Sequence, residues 1–193
     1  MVDKFTYLGT NLTHTGNLSG AVKCLTDQAL RAYYTSLKVL DRVKLDVKTQ
    51  LRLFDTMVTP ILLYGAEVWG VYNYKEIDKL HLRFCKYILD VRQSTPSNAI
   101  YGELGRLPLS TIAKERALKF WIKIKNDVDS LGYKMYIDSC NNIRGPSWAK
   151  RANSIIDHLG FTDIRTAFDN RINHCPCLKK DCLMNIFKIG KLQ

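Results

Sequence analysis

The segment that most constrains this chain is an apolar run from Pro60 to Gly70, in which aliphatic and aromatic side chains surround a single carboxylate, Glu67. A helix needs about 20 apolar residues to cross a bilayer, so this run is too short and the protein itself must bury it. Before the run, apolar residues repeat from Leu51 at three- and four-residue steps, which is typical of a helix on a core. Pro60 interrupts the repeat. We therefore predict a kink or a new helix there, with the proline in its first turn.

The charge of the chain favours a polyanionic partner. The 193 residues include 29 lysines and arginines against 18 aspartates and glutamates, a formal net charge of +11. The excess is spread along the chain, with +3 in residues 1–60, +5 in 61–125 and +3 in 126–193. Folding must therefore assemble any binding surface. Nucleic acid is the first expectation and an acidic membrane surface the second, and the alternative is a soluble protein whose surface is simply basic.

Helical spacing of apolar residues predicts a mainly α-helical protein with a small β element at the N-terminus. Residues 5–12 are rich in β-branched and aromatic residues and precede a turn-forming segment, so we predict a strand and a turn. Ser19, Ser97 and Ser110 precede helical patterns, and the first two are expected to be N-caps. We divide the chain into a β element in residues 1–18, a helical domain in 19–126, and a smaller, partly irregular helical region in 127–193.

Two of the predicted helices carry cations on the side opposite their apolar stripe. Each set of three falls within an arc of about 60° at 100° per residue. Cations at this spacing can each meet a phosphate, and the release of counterions drives the association. The alternative is that each set is the solvated side of a core helix, because such helices carry exposed lysines for solubility in any case. The candidate nucleic-acid-binding residues are Lys79, Arg83 and Lys86 in one helix, and Arg116, Lys119 and Lys123 in the other.

The residues that could bind a metal form a weak pattern. Cys175, Cys177 and Cys182 have the right chemistry for zinc, but their spacing does not reproduce the paired-cysteine arrangement of structural zinc sites. His81 lies at the edge of an apolar helix face and is expected to pack in the core. The sequence contains no P-loop, no dinucleotide fingerprint and no acidic pair for two metal ions, so we predict no cofactor.

A series of motifs in this order resembles the region that follows the catalytic palm in reverse transcriptases of LINE-type (non-LTR) retrotransposons. The resemblance covers roughly residues 4–160. Its motifs are specific as a set, although each is weak alone. They comprise Phe5-Thr-Tyr-Leu-Gly9, Asp27-Gln-Ala29, Leu53-Phe-Asp55, the run from Pro60 to Gly70, His81-Leu-Arg-Phe-Cys-Lys86, Ser94-Thr-Pro96, Tyr101-Gly-Glu-Leu-Gly-Arg-Leu-Pro108, and Arg116 through Ile124.

The resemblance implies roles for these regions. Tyr7, Leu8 and Gly9 would belong to the remnant of a primer-grip hairpin, and the helices of residues 19–126 would derive from a thumb that holds a template–primer duplex. The family's polymerase site uses paired aspartates on a palm hairpin, and this sequence has no such pair. The resemblance therefore implies a non-catalytic fragment that binds an RNA/DNA hybrid or duplex.

Two other interpretations stay open. Loss of the palm would uncover apolar surface around Phe5, Tyr7 and Leu8, and such a patch often marks a protein interface, so the chain could dock on a palm or another partner. The chain could also come from a decayed element with no selected role. The sequence shows neither a secretory signal nor a membrane-spanning segment, and we expect an intracellular protein without a membrane partner.

Overall fold

A computed structural model describes residues 4–7, 10–13, 17–72, 74–141 and 147–160. In this part of the chain two short strands precede a series of helices, which confirms the mainly α-helical prediction. None of the described helices is both long and apolar enough to cross a membrane. The elements are β1 (Lys4–Tyr7), β2 (Thr10–Thr13), α1 (Ser19–Leu40), α2 (Val47–Met57), α3 (Thr59–Leu62), α4 (Ala66–Trp69), α5 (Lys75–Ile88), α6 (Ser97–Glu103), α7 (Leu109–Asn126), α8 (Leu131–Asn141) and α9 (Trp148–His158).

The two strands pair antiparallel, with Lys4 opposite Thr13 and Tyr7 opposite Thr10. The residue pattern alone predicts one strand over residues 5–12, whereas the structure has two, an arrangement consistent with the hairpin that the resemblance implies for residues 1–18. Residues 5–12 resemble a single strand because most of them are β-branched or aromatic. Gly9, a residue type common in turns, was the one signal against a continuous strand.

Backbone contacts divide the chain into two units. The described residues up to 69 and from 74 to 113 form the first unit, and residues 70–72 together with those from 114 to 160 form the second. The division falls inside α7, between Ala113 and Lys114. It therefore does not follow the boundary at residue 126, which was placed at the end of that helix.

The core of the first unit forms around stacked aromatic rings. Phe54 of α2 and Phe84 of α5 are fully buried, and their ring centroids lie 4.2 Å apart. Tyr33 of α1 meets Phe84 edge-on at 6.2 Å. Burial of a large side chain of this kind contributes about 1.5–3 kcal/mol, so this cluster is what holds α1, α2 and α5 together.

The run from Pro60 to Gly70 folds into two short helices. Val58 ends α2 and also precedes α3, whose first turn contains Pro60, so the predicted new helix start is confirmed. Leu62, Leu63, Ala66 and Trp69 are buried, but Tyr64 and Val68 are 45% and 49% exposed. The prediction that the whole run is buried was therefore wrong. Such short helices bury one side only.

Two helices begin differently from the sequence prediction. Ser19 is the first residue of α1, and its backbone N–H donates to Oδ1 of Asn17 at 2.9 Å. Ser97 likewise lies inside α6, and no side chain caps that helix.

The backbone N–H of Ser110, near the start of α7, donates to Oδ1 of Asp78 on α5 at 2.9 Å. This capping group is 32 residues away in sequence, beyond the reach of a local capping pattern.

The second unit forms around Trp121 of α7, which is buried. Its indole N–H donates to Oδ1 of Asn153 on α9 at 3.1 Å, and the hydroxyl of Tyr136 on α8 donates to the same oxygen at 2.9 Å. Ala149, Ala152 and Ile156 of α9 belong to the same core. One amide oxygen therefore connects three helices.

Candidate nucleic-acid interface

The position of α5 is fixed by its buried side. The sequence predicts an apolar stripe of Ile77, Leu80, Phe84, Ile88 and Val91. The first three are buried, Ile88 is half-buried, and Val91 lies after the end of α5. Because this side is packed in the first unit, the opposite side of the helix is held facing solvent.

A polar cluster lies within the same buried side. The side chain of His81 is fully buried between the rings of Phe54 and Tyr101, at centroid distances of 5.6 and 5.4 Å. Its Nε2 accepts a hydrogen bond from Nε of Arg106 at 3.1 Å, and both terminal nitrogens of Arg106 donate to the carboxylate of Asp55. A bidentate pair of this kind has a defined geometry. The predicted packing role of His81 is confirmed.

The cluster sets the charge of its members. Burial, assisted by the positive charge of Arg106, lowers the pKa of His81 to about 4, so the ring is neutral at physiological pH. Since Nε2 accepts the bond from Arg106, the ring proton lies on Nδ1. Burial also raises the pKa of the Cys85 thiol to about 11, so this cysteine is not a reactive thiolate. The cluster is thus a structural anchor for α5.

The outer side of α5 carries a row of three exposed cations, Lys75, Lys79 and Arg83. We call these residues the α5 row. They are spaced by four residues, which corresponds to about 6 Å of helix rise per step. Among the described residues, no carboxylate forms a salt bridge with any member of the row. The row therefore presents three positive charges along about 12 Å of the helix, whose first turn also holds the carboxylates of Glu76 and Asp78.

Lys86 does not belong to this exposed surface, which corrects the prediction. Its side chain is only 6% exposed, and its Nζ donates to the backbone oxygen of Gln93. The helical periodicity correctly placed Lys86 on the side of α5 opposite the apolar stripe. However, the chain folds back after α5 and brings the backbone oxygen of Gln93 to the lysine.

The structure places the three predicted cations of α7 in different environments. Lys119 and Lys123 are exposed, whereas Arg116 is half-buried. Nζ of Lys119 lies 2.6 Å from a carboxylate oxygen of Glu115, one helical turn earlier. Part of the positive charge on this helix is therefore neutralised locally.

A further cation of α7 is buried. Nζ of Lys125 lies 4.5 Å from the ring centroid of Tyr136 and 5.6 Å from that of Trp121. Both contacts are within the range of a cation–π interaction. Lys125 therefore stabilises the core of the second unit and is not an outward binding group.

The remaining predicted site residues lie in the N-terminal strand or outside the described residues. Tyr7 lies in β1, opposite Thr10 of β2. Leu8 and Gly9 lie outside the described residues, as do Cys175, Cys177 and Cys182. Their proposed primer-grip and zinc roles stay predictions.

Comparison with models of known protein families, with curated proteins and with solved structures gives no match to this chain. The resemblance to LINE-type reverse transcriptases therefore stays a prediction.

Sequence reasoning missed two contributors to this site. Lys75 extends the row by one turn, and its four-residue spacing from Lys79 was a sufficient signal. Arg106 holds His81 and Asp55 together across 25 and 51 residues of sequence. No local pattern indicates that pairing, because it depends on how the helices pack.

Proposed function

We propose that this protein binds the phosphate backbone of a nucleic-acid duplex, such as an RNA/DNA hybrid, and does so without catalysing nucleotide transfer. The observation that carries the proposal is the α5 row, in which three exposed cations without a carboxylate partner among the described residues follow one side of an anchored helix.

The dimensions of the row support this function. One strand of a duplex carries a phosphate every 3.4 Å of axis, so the roughly 12 Å of the row corresponds to three or four phosphates. Binding of cations there releases condensed counterions, which supplies most of the free energy of sequence-independent association. The buried cluster around His81 keeps α5 fixed, so the helix itself needs little ordering when it binds.

The other basic helix, α7, carries a weaker set of exposed cations. Lys119 and Lys123 of α7 are exposed, but Glu115 competes with phosphate for Lys119. We infer that the α5 row contributes the larger part of the affinity. The resemblance to a reverse-transcriptase thumb supports the choice of a template–primer duplex as ligand, and the lack of a paired-aspartate motif supports a non-catalytic role.

The test measures binding of a labelled RNA/DNA hybrid to the full chain by fluorescence anisotropy at several salt concentrations. The test variant carries Lys75→Gln, Lys79→Gln and Arg83→Gln. Each phosphate neutralised contributes about −0.9 to the log–log salt slope of a B-form duplex, so the variant should have a slope shallower by about 2.7. Nucleotide incorporation is measured in parallel, and no incorporation is expected.

The matched control carries Lys44→Gln, Lys48→Gln and Arg52→Gln. These exposed residues have the same composition and the same four-residue spacing as the α5 row. Lys44 precedes α2, which begins at Val47, so these three cations do not form one row along a helix. Equal slopes in the two variants would show nonspecific attraction and would contradict the proposal.

An exposed aromatic residue supports a second function, docking of a protein partner at the N-terminal hairpin. Phe5 of β1 is 60% exposed. Exposed aromatic side chains are enriched in protein interfaces. Under this proposal Phe5→Ser would weaken capture of a palm domain and leave binding of the hybrid unchanged. Equal capture by Phe5→Ser and the unmodified chain would remove this candidate.

A further inference from the structure

A cavity of about 540 Å³ lies in the first unit, at the C-terminal end of α5. Its volume is within the range of about 300–1,000 Å³ that is typical of small-molecule sites. The lining includes Tyr33 of α1 and side chains from the last turns of α5 and the segment after it. The lining residues that could bind a ligand are Tyr33, Arg83, Lys86, Tyr87, Asp90 and Gln93.

The wall of this cavity is built by a reversal of the chain. Asp90 adopts a left-handed conformation with φ 50°, and the backbone N–H of Val91 donates to the oxygen of Lys86 at 3.2 Å. This 6→1 bond is typical of a Schellman C-cap. The reversal brings the backbone oxygen of Gln93 to Nζ of Lys86, so the lysine becomes part of the wall.

An aspartate is an unfavourable choice at the position of Asp90. Aspartate tolerates a left-handed backbone better than most residues, but the negative end of the helix dipole repels its carboxylate. Among the described residues, no salt bridge compensates for this carboxylate. Asp90 is exposed and lines the cavity, so its oxygens are available as hydrogen-bond acceptors for a ligand.

The other polar groups of the lining favour an anion. Arg83 is exposed, and its planar guanidinium suits a phosphate group. Lys86 adds a second positive charge in the wall. Burial raises the pKa of Tyr33, so its hydroxyl stays protonated. The exposed Tyr87 adds an aromatic ring, while its hydroxyl donates to Asp41 at 2.8 Å. One cavity is therefore lined by cationic groups that can donate hydrogen bonds to a phosphate, by a carboxylate that can accept one, and by an aromatic ring.

We propose that this cavity binds one nucleotide of a single strand, as a nucleoside monophosphate unit. The phosphate lies at Arg83 and Lys86, the base contacts Tyr87, and the carboxylate of Asp90 accepts a hydrogen bond from an exocyclic amino group. Cytosine has such a donor where uracil has a carbonyl oxygen, so the site prefers cytidine to uridine. This inference deepens the proposed function, on which it rests, because it assigns an unpaired nucleotide to the end of the α5 row.

The test titrates the full chain with cytidine monophosphate, uridine monophosphate and inorganic phosphate by isothermal calorimetry. Cytidine monophosphate should bind about tenfold more tightly than uridine monophosphate, as expected for one added hydrogen bond to a charged group. Inorganic phosphate should bind more weakly than either. No binding, or equal binding of the three, would overturn the assignment of a nucleotide.

Two variants of Asp90 test whether its carboxylate distinguishes cytosine from uracil. Asp90→Asn keeps the size of the side chain, and Asp90→Gly removes it while favouring the left-handed backbone, so unfolding would not explain a loss in that variant. Both should bind the cytidine and uridine nucleotides equally. A preference for cytidine that persists in both variants would overturn the role of Asp90.

A further variant separates this inference from the proposed function. Lys75→Gln with Lys79→Gln changes the α5 row outside the cavity. It should weaken binding of the hybrid and leave binding of cytidine monophosphate unchanged. Loss of the nucleotide preference in this variant would overturn the cavity as a separate site. Hybrid binding that is insensitive to the row, together with an intact nucleotide preference, would instead contradict only the proposed function.

Discussion

The two basic helices, α5 and α7, carry similar sets of cations in sequence but present them differently. In α5, Lys79 and Arg83 are exposed with Lys75, whereas the third predicted cation, Lys86, lies in the wall of the cavity after the helix and donates to the backbone oxygen of Gln93. In α7, Lys119 is paired with Glu115 and Arg116 is half-buried. The comparison teaches that the spacing of charges does not by itself decide which of them can bind a ligand.

The inner sides of the two helices also differ. The inner side of α5 holds a charged cluster, in which Arg106 connects a neutral His81 to Asp55. The inner side of α7 instead combines neutral hydrogen bonds from Trp121 and Tyr136 to Asn153 with the cation of Lys125 above the two rings. We therefore expect the packing around α5 to depend on pH more strongly than that around α7.

The largest expected effect comes from the aromatic core behind α5. Phe84→Ala removes a fully buried ring that stacks on Phe54, so the free energy of unfolding should fall by about 3–5 kcal/mol. Urea unfolding measures this change. The exposed Arg83→Ala on the same helix is the control and should lie within about 0.5 kcal/mol of the unmodified chain. Equal losses in the two variants would contradict the assigned inner and outer sides of α5.

The next effect tests the pH dependence of the cluster. The folded pKa of His81 is about 4, below its ordinary value of 6.5, so the unfolded chain binds the proton more tightly. The stabilisation is fully present above pH 6.5 and is lost as the pH falls toward 4, by roughly 3 kcal/mol.

His81→Gln keeps an acceptor for Arg106 but does not titrate. The difference in free energy of unfolding between pH 7 and pH 4 should therefore be smaller in this variant than in the unmodified chain, as measured by urea unfolding. The charged groups that face His81 are Arg106 and Asp55, and both remain in the variant. An unchanged pH dependence would show that His81 is not the group responsible.

A smaller effect concerns the buried lysine of α7. Lys125→Met removes a cation that lies 4.5 Å from the ring centroid of Tyr136, so the free energy of unfolding should fall by about 1 kcal/mol. Lys123→Met removes an exposed lysine on the same helix and should change it by less than about 0.5 kcal/mol. Thermal or urea unfolding of both variants makes the comparison. A larger loss of unfolding free energy for Lys123→Met than for Lys125→Met would contradict the assignment of Lys125 as buried and Lys123 as exposed.

The smallest effect on stability tests whether local pairing weakens α7 as a binding surface. Glu115→Gln removes an exposed ion pair with Lys119 and should cost about 0.3–0.5 kcal/mol. The variant should bind the RNA/DNA hybrid with a salt slope that is steeper by up to about 0.9, because Lys119 can then meet a phosphate. The charge-matched control is Glu103→Gln in α6. An equal steepening in the control would show an effect of net charge alone.

The local pattern of residues determined several features of this protein. It predicted the main helices and the new helix at Pro60, and it placed His81 in the core, because a helix of 3.6 residues per turn shows its buried side in the sequence. It also indicated two of the three cations in the α5 row.

Only the tertiary structure decided which of these groups are available. The reversal at Asp90 makes Lys86 part of the cavity wall, Asp78 caps α7, and Arg106 meets Asp55 and His81. Each of these contacts joins a helix to a residue that is not part of the same helix. The periodicity of the sequence shows which side of a helix is apolar. Which other segments contact that helix depends on the packing of the whole unit.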